Sequence, residues 1–172
     1  MKKVIITFGI IAGLIIAVWV IVLAALGGCM NWEYGMVYGY SAMLLSFSMI
    51  FVAVKSFRDK HNNGSISFGK AFQIGLWITL IASTFYVLTW LVYYYNFIPD
   101  FYDKYSAHMV SQMQSEGATA TAIEAAKAEI ANFKELAKNP AINALMTYME
   151  IVPVGLVVSL LTALILKRKT AS

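Results

Sequence analysis

Val4–Leu26 reads VIITFGIIAGLIIAVWVIVLAAL, an apolar run without a single charged side chain. A helix of this length, at about 1.5 Å per residue, covers the roughly 30 Å of hydrocarbon in a bilayer. Three later stretches are similarly apolar and of comparable length: Met36–Phe57, Ala71–Phe97 and Ala144–Leu166. The sequence therefore predicts an all-α integral membrane protein, with residues 1–172 forming one membrane domain around a four-helix bundle.

The overall composition supports this prediction. Hydrophobic residues make up 60% of the chain and charged residues only 13%, which is too apolar for a soluble domain of this size. The four stretches are apolar on every side, as expected of helices surrounded by lipid or by one another.

The basic residues predict how the spans are oriented. Nine of the thirteen Lys and Arg residues flank the spans at Lys2–Lys3, around the 55–70 connection and at 167–169. By the positive-inside rule, both termini and this basic loop lie on the cytoplasmic side of the membrane. The loop residues are Lys55, Arg58, Lys60 and Lys70. The net charge of +4 is thus explained by topology, and no nucleic-acid partner is predicted.

Residues 100–140 form the one long polar segment, which this topology places outside the cytoplasm. An aromatic residue or a methionine recurs at every fourth position: Phe101, Tyr105, Met109 and Met113. This spacing predicts a first short helix with one apolar face. Gly117 then interrupts the pattern, and Thr121 with Glu124 has the spacing of a capping box that opens a second helix. We expect this insertion to pack on the membrane domain or on headgroups; the alternative is a ligand lid or a docking surface.

Cys29 is the single cysteine, so an internal disulfide and a cysteine-based zinc site are excluded. The start of the chain resembles a lipoprotein signal with acylation at Cys29. It combines the basic pair Lys2–Lys3, the apolar run and the segment Leu26–Cys29. The apolar run is longer than the 7–15 residues typical of a signal peptide, so an uncleaved first span is the preferred interpretation. His61 and His108 are predicted on opposite sides of the membrane and cannot share a metal, and no cofactor is predicted.

Small residues follow each other at four-residue spacing in every span, for example Gly9 and Gly13, or Gly75 and Thr79. Such stripes allow helix backbones to approach closely within a membrane. Packing within one bundle is the preferred interpretation, and homo-oligomerisation through one stripe is the alternative.

Glu150 is the one acidic residue within a predicted span. A charged carboxylate at that depth costs on the order of 3 kcal/mol on insertion scales. Pro153 lies one turn further on and lacks the N–H that would continue the helix ladder, so a bend and a polar pocket are expected there. Residues of other spans predicted at matching depth are Tyr86, Thr89, Trp90 and Ser41. This candidate site either handles a proton or cation, or makes a structural hydrogen bond, or reaches water at the outer leaflet.

Five segments, taken in order and spacing, resemble a family of bacterial membrane proteins catalogued as domain of unknown function 4199. They are Gly39–Tyr40, Lys55–Lys60 (KSFRDK), Gly64–Phe72 (GSISFGKAF), Tyr86–Trp90 (YVLTW) and Met149–Leu156 (MEIVPVGL). The resemblance covers nearly the whole chain and implies a four-span inner-membrane protein, without an activity. The family-like positions are Gly64, Phe68, Gly69, Trp90, Glu150 and Pro153.

Three functions follow as hypotheses. The first is a non-enzymatic accessory or scaffold component of the cell envelope, in contact with the lipid bilayer and with a membrane-protein partner or further copies of itself. The second is a small transporter or channel that uses Glu150, with Tyr86 and Ser41 along a polar path. The third is a membrane-embedded lipid-modifying enzyme, which is the least favoured because one isolated acid rarely suffices for acid–base catalysis.

Overall fold

The computed structural model describes residues 1–25 and 34–168 of the chain. These residues form helices in the following order: α1 Lys2–Ala25, α2 Gly35–His61, α3 Phe68–Phe97, α4 Phe101–Ser115, α5 Ala120–Ala137 and α6 Pro140–Leu166. Four helical segments are long and apolar enough to cross a membrane: α1, Val37–His61 of α2, α3 and α6. The all-α fold with four spans is thereby confirmed. Cys29, the residue of the alternative lipoprotein interpretation, lies outside the described residues.

The chain divides into two compact units. The first, here called the bundle unit, comprises Met1–Thr89 together with the chain from Thr147 onward. The second, here called the insertion unit, comprises Trp90–Met146. Helices α3 and α6 each contribute residues to both units, and each unit is described separately below.

The bundle unit has an apolar interior to which all four spanning helices contribute. Ile16 of α1, Phe47 of α2, Ile78 of α3 and Ile151 of α6 are completely buried in one core. The outer surface is apolar as well, and many of its large side chains are about half exposed or more: Val18, Leu44, Leu88, Val157 and Ile165. Such a surface is unfavourable in water and suits contact with acyl chains.

Glycines mark the places where helices of the bundle unit approach most closely. A Cβ atom added to Gly13 of α1 would lie 2.5 Å from the Phe85 ring of α3. One added to Gly75 of α3 would lie 2.6 Å from the Ser159 hydroxyl of α6. Such distances are far inside van der Waals contact, so these positions require the absence of a side chain. The prediction that small residues serve packing within one bundle is confirmed at these crossings.

Hydroxyl groups bond between the same helices. Ser46 Oγ of α2 donates to the Ala12 carbonyl of α1 at 2.8 Å. Thr79 Oγ1 of α3 and Ser159 Oγ of α6 are 3.3 Å apart, and Ser159 Oγ also donates to the carbonyl of Gly155 at 2.7 Å. Each of these buried hydroxyls thus finds an acceptor or donor without water, as a helix bundle in lipid requires.

The insertion unit contains a helical hairpin, α4 and α5, as predicted. Gly117 turns the chain with φ +75°, a conformation that glycine adopts without steric cost. Thr119 caps α5, because its hydroxyl accepts the N–H of Ala122 at 3.3 Å. The predicted capping box at Thr121 and Glu124 is therefore wrong by two residues: Thr121 lies inside α5, and Glu124 pairs with Lys127 at 2.8 Å.

Candidate functional site

Glu150 lies well inside the fourth span. Ten residues separate it from Pro140 and sixteen from Leu166, the two ends of α6, which correspond to about 15 Å and about 24 Å along the axis. Its side chain is exposed on the surface of the bundle unit. Two apolar neighbours on the same side of α6 are also exposed, Met149 at 71% and Val157 at 57%. The carboxylate therefore faces outward, away from the core of its own bundle.

The Glu150 carboxylate has no hydrogen bond and no ion pair with any residue in the described ranges 1–25 and 34–168. The contrast with nearby polar residues of α6 is clear. The Tyr148 hydroxyl lies 2.8 Å from Thr84 Oγ1 of α3, and Thr147 is buried. Glu150 is thus a polar group at membrane depth that the bundle itself does not stabilise.

Pro153 adds a second hydrogen-bond acceptor beside Glu150. It is exposed on the same side of α6, and the helix runs through it without interruption. Because proline has no N–H, the carbonyl of Met149 lacks its usual donor four residues ahead. A carboxylate and a backbone carbonyl therefore occur one residue apart on an outward-facing surface. Groups of this kind bind a cation or the N–H and O–H donors of another molecule.

The structure does not bring the other predicted site residues of the bundle unit into hydrogen bonds with Glu150. Tyr86 is partly buried and packs against the apolar core. Thr89 Oγ1 donates to the Phe85 carbonyl of its own helix at 2.8 Å. Ser41 is exposed on α2. Polar residues predicted at one depth thus differ in their burial, and none of them bonds to Glu150 within the described ranges.

Trp90, the remaining predicted residue, belongs to the insertion unit and has its own partner there. Its Nε1–H donates to Asn143 Oδ1 at 3.3 Å. Asn143 is 2% exposed and donates through Nδ2 to the Tyr95 hydroxyl at 3.5 Å, which in turn donates to the Ala137 carbonyl at 2.5 Å. This network connects α3, α5 and α6 within the insertion unit.

Asn143 is a residue that the sequence reasoning missed. The same rule that selects Glu150, a polar side chain within an apolar run, also selects Asn143, but the predicted span began at Ala144 and excluded it. Since α6 begins at Pro140, Asn143 lies inside the helix. Its bonds to the Trp90 indole and the Tyr95 hydroxyl indicate a structural role.

Aromatic rings of the same unit pack against each other near this network. Trp90 and Phe101 meet edge to face with centroids 5.3 Å apart, and Tyr94 meets Tyr95 and Tyr102 at 4.9 and 6.0 Å. These are the distances of well-packed aromatic pairs. The rings therefore stabilise the start of α4 against the end of α3.

The basic loop residues differ in their surroundings. Arg58 is buried, and its guanidinium donates to both carboxylate oxygens of Asp59, at 2.7 and 3.2 Å. Lys55, Lys60 and Lys70 are exposed. Among the residues that the structure describes, no three His, Cys, Asp or Glu side chains are grouped as metal ligands.

Four apolar spans and an all-helical fold define a multi-pass integral membrane protein. Residues 7–168 match the sequence profile of a family described as "Protein of unknown function (DUF4199)". The match extends over nearly the whole chain, so the protein belongs to the DUF4199 family, and the resemblance found in the sequence is confirmed. Searches of the curated proteins and of the solved structures returned no significant match.

Proposed function

We propose that this protein is a non-enzymatic accessory or scaffold component of the bacterial inner membrane, which binds another integral membrane protein through the Glu150 side of α6. One observation carries the proposal: a carboxylate at membrane depth faces outward and has no partner within the described part of its own chain. The side of α6 formed by Met149, Glu150, Pro153 and Val157 is called the Glu150 face below.

The energetics favour a partner at this face. A carboxylate in contact with hydrocarbon costs on the order of 3 kcal/mol, and a donor from a neighbouring helix removes most of that cost. The core of the bundle unit, by contrast, is filled by large apolar side chains such as Ile16, Phe47 and Ile78. This arrangement supports binding at the outer surface in preference to ion passage through a single bundle.

The chemistry of the Glu150 face indicates what the partner provides. The carboxylate of Glu150 and the carbonyl of Met149 are both acceptors, so the partner has to supply donors. A Lys or Arg side chain on a transmembrane helix supplies several donors and the opposite charge. A second copy of this chain in a symmetric pair would instead place another carboxylate opposite Glu150, which is unfavourable. A different membrane protein is therefore the partner we propose.

We further propose that both ends of the chain are cytoplasmic and that α4 and α5 lie on the opposite side of the membrane. The positive-inside distribution of Lys and Arg supports this orientation. The partner would then meet Glu150 in the outer half of the bilayer, since Glu150 is closer to the Pro140 end of α6 than to the Leu166 end.

Site-specific photo-crosslinking tests the proposal. A photoreactive amino acid replaces Met149 in the full chain, and a second variant carries it in place of Leu88, which is 59% exposed on α3. We expect a heterologous adduct at 149 only, and its loss in Glu150→Leu. Tyr148→Phe is the matched control, because it removes a polar group that bonds within the bundle unit and should leave the adduct intact.

A charge exchange then identifies the contact. Glu150→Lys should abolish the adduct, and a basic-to-Glu substitution in the transmembrane helix of the crosslinked protein should restore it. An adduct that persists in Glu150→Leu, or one that forms equally at Leu88, would overturn the proposal.

A further inference from the structure

The connection between α2 and α3 is bound directly to the segment that follows α6. The N–H of Ile66 donates to the Arg168 carbonyl at 3.1 Å, and the N–H of Arg168 donates to the Ile66 carbonyl at 2.9 Å. The side chains of Ile66 and Leu166 are buried in the bundle unit, 1% and 5% exposed. Two segments about one hundred residues apart in sequence are thereby held together where α2 and α6 end and α3 begins.

This backbone pairing brings basic side chains from two parts of the chain to the same end of the bundle unit. Exposed basic side chains within residues 55–70, which include the connection and the adjoining helix ends, and within 167–168 are here called the basic platform: Lys55, Lys60, Lys70, Lys167 and Arg168. Asp59 is the one acidic residue of these segments, and it is already bonded to the buried Arg58. Lys55 and Arg168 both interact electrostatically with Asp59, which places residues of the two segments near one another. These five positive charges therefore have one carboxylate near them, Asp59, and that carboxylate is already paired with Arg58.

Helix stabilisation does not account for all of these charges. Lys60, in the last turn of α2, interacts favourably with the helix macrodipole, as do cations just beyond the end of α6. Lys70, however, lies in the first turn of α3, where the macrodipole disfavours a cation. Its ammonium group donates to Asn62 Oδ1 at 3.4 Å and lies 5.5 Å from the centre of the Phe57 ring. Lys70 is thus held at this end of the bundle against its helix dipole.

We propose that the basic platform binds the phosphate groups of anionic phospholipids. The platform lies at the ends of three membrane-spanning helices, which is the level of lipid headgroups. Phe68 beside it is 38% exposed and stacks on Phe72, as expected for a side chain that enters the interface next to the acyl chains. Clustered Lys and Arg side chains next to a membrane span are attracted to an anionic lipid surface, and their contributions add up. A soluble acidic protein would not use the exposed Phe68, so a lipid is the ligand we infer.

Native mass spectrometry of the full chain in detergent tests the proposal with phosphatidylglycerol and phosphatidylcholine of identical acyl chains. We expect phosphatidylglycerol to bind at least about tenfold more tightly, with an affinity that falls as salt rises. The variant Lys70→Gln/Lys167→Gln/Arg168→Gln should lose this preference. The control Lys104→Gln/Lys127→Gln/Lys138→Gln removes the same charge from lysines that have acidic partners in the insertion unit and should keep it.

A second variant separates the arrangement of the charges from their number. Ile66→Pro removes the N–H that donates to Arg168 and changes no charge, so it should weaken phosphatidylglycerol binding severalfold while circular dichroism confirms an intact fold. If Ile66→Pro does not fold, the comparison of the two triple variants decides alone. Equal affinity for the two lipids, equal losses in the two triple variants, or preferential binding of soluble polyglutamate would overturn the proposal.

Discussion

The hydroxyl of Ser46 on α2 donates a hydrogen bond of 2.8 Å to the backbone carbonyl of Ala12 on α1. Both residues are buried, at 0% exposure. Within a bilayer, where apolar side chains gain little by leaving lipid for protein, such bonds and close packing are what hold helices together. The first two spans are therefore joined by a specific contact as well as by general packing.

Ser46→Ala should lower the free energy of unfolding by about 0.6 kcal/mol, the typical value for a hydrogen bond between membrane helices. Ser83 is the matched control, since its hydroxyl is buried without a partner among the described residues. Ser83→Ala should be neutral or slightly stabilising, because it removes an unsatisfied polar group. Unfolding by steric trapping in bicelles measures both variants, and an equal loss in the two would contradict the assignment.

Glycine substitutions separate contact positions from open ones. Gly75→Ala forces a methyl group to within 2.6 Å of the Ser159 hydroxyl, so we expect a loss of about 1–3 kcal/mol, as for other overpacked cores. Gly39→Ala is the control, because a Cβ at Gly39 meets no described atom within 4 Å. It should leave the free energy of unfolding unchanged or raise it slightly. Equal destabilisation of the two variants would mean that Gly39 also lies at a helix contact.

The spans were predictable because twenty or so apolar residues in a row have few other solutions in a protein chain. The direction in which Glu150 points was not predictable, since a helix that is apolar on all sides carries no pattern that distinguishes core from lipid. Tyr86 was predicted at the depth of Glu150, but depth does not specify the angular position around the bundle. Thr119 and Thr121 were both chemically able to cap α5, and only the path of the chain after Gly117 selects Thr119.

The unpartnered carboxylate of Glu150 should also affect the stability of the isolated protein. Glu150→Leu should increase the free energy of unfolding of the purified chain by about 1–3 kcal/mol, because it replaces an unpartnered carboxylate with an apolar side chain in lipid. The same substitution should abolish partner crosslinking, so stability and function change in opposite directions. A loss of stability in Glu150→Leu, measured in the same bicelles, would indicate a structural bond to Glu150.

The rival transport hypothesis is tested with the same residue. Proteoliposomes of the wild-type protein should show no proton or monovalent-cation flux above that of protein-free vesicles, and Glu150→Gln should not differ from the wild type. A flux that Glu150→Gln abolishes, in protein that remains folded, would replace the accessory role with transport.

Two ion pairs give the insertion unit a dependence on pH with opposite signs at the two extremes. The Lys134 ammonium donates to Asp103 at 2.5 Å, joining α5 to α4, and this bond raises the pKa of Lys134 above its usual 10.5. A raised basic pKa stabilises the fold fully below the unfolded value and loses that contribution as pH rises through the folded value. The hydrogen bond from Lys104 lowers the pKa of Asp100 below 3.8. That contribution is present above 3.8 and is lost as pH falls through the lower folded value.

Carbon-13 NMR titration of labelled Lys and Asp side chains in the full chain measures both pKa values directly. We expect Lys134 to titrate at lower pH in Asp103→Asn than in the wild type, and Asp100 to titrate at higher pH in Lys104→Gln. Each substitution is the control for the other, because Asp103→Asn leaves the Lys104–Asp100 pair intact and Lys104→Gln leaves the Lys134–Asp103 pair intact. A Lys134 titration that Asp103→Asn leaves unchanged would mean that this bond does not connect the two helices in solution.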